Sequence, residues 1–244
     1  MNAAARMSLA AKFGHVTSWV FDLDNTLYPP DCGLWPAIED RITLFLIRHS
    51  GLDGASARAL QRYYYHQHGT TLRGLVDEDG LAPDEFLEFV HDIDRSQLLP
   101  NPALADQIAR LPGRKLVFTN GSRRHALQTV ERLGLSGLFE EAFDIVAAGL
   151  APKPRDEAYD AFFRAHGVEP AQAAMFEDIA KNLAVPRARG MTTVLVTGKA
   201  GGIDHRQPQD RELKPAYVDF VTDDLTGFLG RVNDELARPL GIQT

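Results

Sequence analysis

Short apolar runs that stop abruptly at a polar residue, each followed by a stretch with helical periodicity, are the strongest constraint this sequence places on its fold. From Thr17 to Phe21, with Val16 just before, the chain is almost continuously apolar through Trp19, Val20 and Phe21, and it stops at Asp22. A strand covered on both faces reads this way, because neither side of it meets water. The pattern returns at Lys115 to Thr119, Phe143 to Ala147, Ala173 to Phe176 and Thr192 to Val196, with Tyr217 to Val221 as a sixth candidate. Between these runs, helices are predicted over Arg123 to Leu133, Glu157 to His166, Ile179 to Arg189 and Leu225 to Leu236. Strand and helix alternating in this order predict the α/β class: a doubly wound parallel sheet, a Rossmann-like core with helices on both faces.

One long gap interrupts the alternation. Between the first apolar run and Lys115 the sequence holds amphipathic pieces, Pro36 to Arg48, Ala55 to His68 and Asp84 to Asp92, and no strand pattern. An insertion directly after the first strand leaves the sheet at its carboxyl edge, where open parallel sheets bind ligands. Residues 29–100 are therefore expected to form an α-helical cap, with the core built from residues 16–28 and 101–236. The alanine-rich stretch Met1 to Phe13 has apolar runs too short for a signal-peptide core and is expected to be a frayed lead-in.

The formal net charge is -7, which supplies no positive field to hold DNA or RNA, so a nucleic acid polymer is not an expected partner. A small anionic substrate requires a locally positive pocket instead. Cys32 is the only cysteine. That rules out an internal disulfide or a cysteine-rich metal site and agrees with a reducing, cytoplasmic setting. No apolar stretch reaches the roughly 18 residues that a membrane-spanning helix needs. The expected state is a monomer or a homodimer.

The candidate chemistry begins at Phe21-Asp22-Leu23-Asp24-Asn25-Thr26, where two carboxylates one residue apart follow a buried strand. One can attack a phosphoryl group while the other protonates the leaving oxygen and then activates water. Taken alone, an Asp-x-Asp is more often a solvated acidic turn than a site. The motif resembles the first of four that mark haloacid dehalogenase-like hydrolases, and the other three have counterparts in the same order. Thr119 in Leu116-Val117-Phe118-Thr119-Asn120-Gly121 is similar to the second, Lys153 in Ala151-Pro152-Lys153-Pro154 to the third, and Glu177-Asp178, with Asn182 four residues on, to the fourth. The resemblance covers roughly Val16 to Val196.

The resemblance implies that Asp22 is the nucleophile, Asp24 the acid and base, and Thr119 and Lys153 the remaining catalytic residues. Physical reasons stand beside it. Thr119 can donate its hydroxyl to a phosphoryl oxygen, and the amides of Asn120 and Gly121, near the start of the next helix, favour the same anion. Ser122 is the expected cap of that helix. Lys153 is expected near a helix start, where its ammonium neutralises the phosphoryl group and nearby carboxylates. If Asp22, Asp24 and Asp178 converge, each pair repels by about 4 kcal/mol at ~4 Å in an effective dielectric of ~20, which calls for a cation. Oxygen ligands suit Mg2+, and no His-x-x-x-His or cysteine pair favours zinc. By the family pattern the ligands are the Asp22 carboxylate, the Asp24 backbone carbonyl and Asp178. Glu177 departs from that pattern, which has aspartate or glycine there. Asn182 is expected to orient Asp178, or to be an ordinary exposed amide.

Within the insertion, the run from Tyr63 to Leu75 is similar to a cap signature of the pyrimidine 5'-nucleotidase branch, with its Gly-Thr-Thr-Leu-x-Gly-Leu pattern, and His91-Asp92-Ile93-Asp94 resembles another of its cap segments. This implies a nucleoside monophosphate substrate contacted by Tyr64, Tyr65, Thr70, Thr71 and Arg73, with at least one of the three tyrosines simply packing the cap. Asp24 favours phosphate esters over halides, since a halide needs no acid. No lysine lies between Lys12 and Lys115, which closes the Schiff-base route of phosphonate hydrolases. A phosphomutase, another small-metabolite phosphatase and a catalytically silent phosphate-binding module remain as alternatives. Cys32 and the eight histidines present no coherent nucleophile–base pairing.

Overall fold

Alternate residues along a parallel strand point to opposite faces, and the core strands of this protein distribute their side chains accordingly. The computed structural model describes residues 9–199 and 215–238. Six strands, β1 (Ser18–Phe21), β2 (Arg114–Phe118), β3 (Glu141–Phe143), β4 (Ala173–Glu177), β5 (Thr192–Val196) and β6 (Phe220–Thr222), form one parallel sheet in the order β3-β2-β1-β4-β5-β6. Trp19, Phe21, Val117, Phe176 and Val194 enter one apolar cluster, and Val20, Leu116, Phe118, Met175 and Leu195 enter another on the opposite face.

Ten helices in the described residues complete the architecture. They are α1 (Leu9–Phe13), α2 (Leu34–Ser50), α3 (Gly54–His68), α4 (Thr71–Asp79), α5 (Pro83–Val90), α6 (Pro102–Arg110), α7 (Arg123–Arg132), α8 (Asp156–His166), α9 (Ala184–Ala188) and α10 (Leu225–Ala237). The first sheet face is covered through Phe13 of α1, Leu104 and Ile108 of α6, Val130 of α7 and Phe228 and Val232 of α10. The second is covered mainly by Tyr159 and Phe162 of α8. No helix among the described residues is long and apolar enough to cross a membrane.

The doubly wound sheet agrees with expectation, but three local readings are corrected. Leu9–Phe13 of the expected lead-in is helical, and Phe13 is fully buried against Trp19 and Phe228; residues 1–8 lie outside the described residues. The third strand ends at Phe143, because Asp144 draws the chain into a turn by accepting from the amides of Ala147 at 2.9 Å and Arg123 at 2.8 Å. Beyond it, Ile145 leaves the sheet and joins the apolar cluster formed by the helices between β1 and β2. The helix expected over Ile179 to Arg189 is a 3-10 turn, Ala180–Leu183, followed by the short α9. Lys153 lies in the turn just ahead of α8, near a helix start as expected.

The chain between β1 and β2 carries α2 to α5 around an apolar cluster that includes Phe45, Tyr64, Leu72, Leu75 and Phe86. Helix α4, unmarked in the sequence reading, explains most of the Gly-Thr-Thr-Leu-x-Gly-Leu run. Thr70 caps it by accepting from the Arg73 amide at 3.1 Å, and Leu72 and Leu75 are buried. Gly74 lies under the Tyr64 ring, and a Cβ there would stand 2.2 Å from Tyr64 Cδ1. The run is thus largely a helix-packing device. Gly74→Ala should therefore lower stability by about 1–3 kcal/mol through overpacking, measurable as a reduced urea midpoint, and Tyr64→Leu in the same chain should recover part of the loss.

Candidate active site

Because β1 lies between β2 and β4 in register, with Phe21 opposite Val117 and Phe176, the residues that follow these strands leave the sheet at one edge. Asp22 extends the ladder, its amide donating to the Phe176 carbonyl at 2.9 Å. Thr119 does the same beside β3, its amide donating to Phe143 O at 3.0 Å. This is where the winding of the sheet reverses and loops diverge to leave a crevice.

Lys153 joins these ends. Its Nζ donates to Asp22 Oδ1 at 2.6 Å and to the Phe118 carbonyl at 2.8 Å, and it lies 2.9 Å from Glu177 Oε1. The side chain is fully buried. Burial opposes its charge, but the carboxylates of Asp22 and Glu177 outweigh that and hold the ammonium well above its ordinary pKa. The turn carrying Lys153 is clamped by Asn120, whose Oδ1 accepts from the Lys153 amide at 2.8 Å and whose Nδ2 donates to the Lys153 carbonyl at 3.3 Å. Thr119 Oγ1 accepts from the Gly121 amide at 2.9 Å. Ser122 caps α7, as expected, accepting from the His125 amide at 3.2 Å.

Asp22, Glu177 and Asp178 are buried, and their oxygens lie within 4.8 Å of one another. Burial, reinforced by Glu177 and Asp24 and opposed by Lys153, raises the Asp22 carboxyl to about 7. Burial together with Glu177 and Asp22 raises Asp178 well above the carboxylate range. Glu177 is different: despite burial it is held low by Lys153 and by hydrogen bonds, including the Ile179 amide at 2.7 Å. Asn182 corrects the expectation for it. It is buried, and its Nδ2 donates to Glu177 Oε1 at 2.6 Å rather than orienting Asp178.

The histidines also correct the sequence reading. The His125 ring is fully buried, with Nε2 2.8 Å from Asp24 Oδ1 and Nδ1 2.9 Å from an Arg95 guanidinium nitrogen. A guanidinium only donates, so Nδ1 accepts and the ring proton sits on Nε2, aimed at Asp24. Tyr28 donates to the same Asp24 oxygen at 2.5 Å. Burial would raise Asp24, but His125 and Tyr28 outweigh it and hold the carboxyl below its usual value. His91 stacks on His125 with ring centroids 4.4 Å apart. Two sequence signals were available for this arrangement: Tyr28 lies four residues after Asp24, and His125 lies in the first turn of α7.

A cavity of about 450 Å³ opens from this edge into the helices between β1 and β2. Asp22, Asp24, Thr119, Asn120, Gly121 and Lys153 line it from the core, together with Glu177, Asp178 and Asn182. Tyr65, Thr70 and Thr71 line it from the other side. Tyr64 and Arg73 do not, contrary to expectation: Tyr64 is buried on Gly74, and Arg73 donates to Asp77 at 2.8 Å. Arg58, Arg62 and Lys181, which no sequence motif marks, also line the cavity, as does His91 of the segment His91-Asp92-Ile93-Asp94. Lys181 Nζ donates to the Tyr65 hydroxyl at 2.8 Å.

The fold, the converging motifs and the comparisons with known proteins define the class. The sequence model of the haloacid dehalogenase-like hydrolases matches residues 19–190, and the chain belongs to that family. Phosphate metabolism protein 8 of Saccharomyces cerevisiae is 29% identical over 132 residues, which is 49% of this chain and 40% of that protein; the chain thus spans well under two thirds of its relative's length. Among solved structures, a HAD phosphatase from Thermococcus onnurineus superposes with a TM-score of 0.55 at 17% identity, covering 91% of this chain and 98% of that one. L-2-haloacid dehalogenase from Xanthobacter autotrophicus gives 0.52 at 17% identity, covering 89% and 98%. At this identity the likeness establishes the fold, which phosphatases and dehalogenases share.

The raised Asp22 carboxyl has a consequence for metal-free protein. Its folded pKa of about 7 exceeds the ordinary 3.8, so the folded state binds the extra proton between those values. Stability from this group is present below about pH 4 and lost as pH rises through about 7. The stability difference between wild type and Asp22→Asn, from urea titrations in chelator, should therefore move against wild type across that window. A pH-independent difference would show that Asp22 titrates normally.

Proposed function

We propose that this chain is a phosphomonoester hydrolase working through a phosphoaspartate on Asp22, with residues 29–100 acting as a cap over the site. The observation that carries the reading is the Lys153 ammonium seated on Asp22 Oδ1 with Asp24 two residues away and separately hydrogen-bonded. Asp22 attacks phosphorus and forms a new P–O bond while the ester bond to the leaving oxygen breaks. Asp24 delivers a proton to that oxygen, then takes one from the water that cleaves the acyl phosphate. The hydrogen bonds from His125 and Tyr28 favour the ionised Asp24 that the second step requires. Thr119 and the amides of Asn120 and Gly121 hold the phosphoryl oxygens, and Lys153 keeps Asp22 oriented.

The residues fit a hard divalent cation. Three buried carboxylates face one ammonium, and burial, reinforced by the neighbouring carboxylates, raises the pKa of two of them. Asp22 and Asp178 would hold magnesium, with the Asp24 carbonyl in the family pattern. Both Glu177 oxygens already accept hydrogen bonds, which suits it to a supporting role. Bound there, magnesium supplies positive charge that lets an anionic phosphoryl group approach the carboxylates.

The proposed substrate is a small phosphorylated metabolite, specifically a pyrimidine nucleoside 5'-monophosphate. The retained cap resemblance and the positions of Tyr65 and Thr71 in the cavity support this; Tyr64 and Arg73 do not contribute. A dehalogenase is disfavoured by the presence of Asp24 itself, since halide departure needs no acid.

Asp22→Asn should reduce phosphatase turnover by ~10³-fold or more with the fold intact, since an amide cannot form the acyl phosphate. Chelator should abolish wild-type activity and magnesium restore it. Substantial turnover by the purified variant, or full activity of rigorously metal-free protein, would contradict the mechanism. Among nucleotides, kcat/KM for UMP and CMP should exceed that for AMP and GMP by about tenfold or more, and Tyr65→Ala should narrow the gap. Equal values for all four would remove the nucleotide assignment and leave the phosphatase standing.

A further inference from the structure

Helix α3 presents one face to the apolar cluster through Ala57 and Tyr64, and another to the cavity through Arg58, Arg62 and Tyr65. The spacing i, i+4, i+7 places these three side chains in one row. Among the described residues, neither Arg58 nor Arg62 is ion-paired or hydrogen-bonded, although other arginines of the chain pair with carboxylates, as Arg73 does with Asp77 and Arg114 with Glu140. Two like charges one helical turn apart disfavour the helix, and the chain as a whole is acidic at -7, so unpaired carboxylates to neutralise them are not scarce. A third cation, Lys181, enters the same cavity from the core side and is fixed against the Tyr65 ring, its Nζ 4.3 Å from the ring centroid.

The carboxylates on the opposite wall do not cancel this row. Glu39 and Asp40 of α2 also line the cavity, yet neither pairs with the arginines. Burial pushes the Glu39 carboxyl up, which opposes its ionisation. The transferred phosphoryl group has its own cation in Lys153 and its own donors at the sheet edge, so it leaves the α3 arginines without a counterion. A neutral leaving group would also leave them so.

We propose that Arg58 and Arg62 form a second anion-binding subsite in the cap, and that a phosphomonoester carrying a further acidic group, carboxylate or phosphate, away from the bond that is cleaved is preferred over its neutral counterpart, as orotidine 5'-monophosphate is over UMP among pyrimidine nucleotides. This deepens the phosphatase reading and rests on it, but it does not depend on a nucleobase. Planar guanidinium forks suit either acid, donating to two of its oxygens at once. Lys181, held by Tyr65, adds positive potential to the route between the two anion sites.

The test uses matched pairs that place the second anion at increasing distance from the phosphate: glycerol 3-phosphate against 3-phosphoglycerate, ribose 5-phosphate against ribose 1,5-bisphosphate, and UMP against orotidine 5'-monophosphate. With wild-type protein and magnesium at constant ionic strength, the acidic member of at least one pair should show kcat/KM ~10-fold or more above its partner, chiefly through KM. In the Arg58→Gln/Arg62→Gln double variant that ratio should fall to about twofold or less. A carboxylate-bearing or a phosphate-bearing winner tells the two acids apart. The same pairs are titrated calorimetrically into Asp22→Asn protein, with and without the arginine changes. Arginine-dependent preference in binding, with no turnover of any ester by wild type, would sink the phosphatase reading and keep the subsite. Turnover of the esters with no preference in any pair, or a preference that survives loss of both arginines, would overturn the subsite and keep the phosphatase.

Discussion

The Lys153 ammonium is buried where the ends of three strands meet, and the geometry of the site depends on it. It contacts the carboxylate that follows β1, the last carbonyl of β2 and the glutamate that ends β4. Removing one partner of such a buried pair typically costs about 3–5 kcal/mol, because the remaining charges lose their compensation. Asn120 grips the backbone on both sides of the lysine, so the loop ahead of α8 is fixed to the loop after β2. Without that clamp a long, flexible side chain would have to find its carboxylates from a free turn.

Around this centre Asp22 and Asp24, the two aspartates of the first motif, occupy different environments although one residue separates them. Asp22 shares an anionic pocket and is driven toward protonation by burial; Asp24 accepts from Tyr28 and from the Nε2–H of His125 and is driven the other way. Paired carboxylates pushed apart in this manner can divide nucleophilic and proton-transfer work between them. The Arg95 guanidinium sets the His125 tautomer from outside the catalytic motifs, which extends the site into the segment that links α5 to α6.

The helices between β1 and β2 supply the remainder of the cavity, and their packing decides which side chains reach it. Tyr64 and Tyr65 are neighbours in sequence, yet α3 turns by about 100° per residue, so one ring lies on Gly74 in the apolar cluster and the other meets Lys181 at the cavity. Arg73 follows Thr71 by two residues and points instead to Asp77. Access to the cavity in this region thus follows helix faces rather than the order of the motif.

Much of the fold was legible in the sequence because it rests on local pattern. The apolar runs at Trp19 to Phe21 and Thr192 to Val196 are short and buried on both faces, and polar residues at their ends marked the edge where Asp22, Thr119, Lys153 and Asp178 converge. Where a side chain captured the backbone the pattern misled, as Asp144 did in ending β3 before Ile145. Residues without a motif of their own, His125, Arg95, Arg58 and Arg62, acquired a place in the site only through long-range packing. The sequence by itself determined the strand–helix alternation and the core motif positions, since these depend on burial periodicity and on residues adjacent to strand ends. Only the tertiary structure decided which side chains of the helices between β1 and β2 face the cavity, which histidine meets Asp24 and which carboxylate takes the Asn182 amide, because those contacts join segments far apart in the chain or depend on rotations about a helix that spacing alone does not fix.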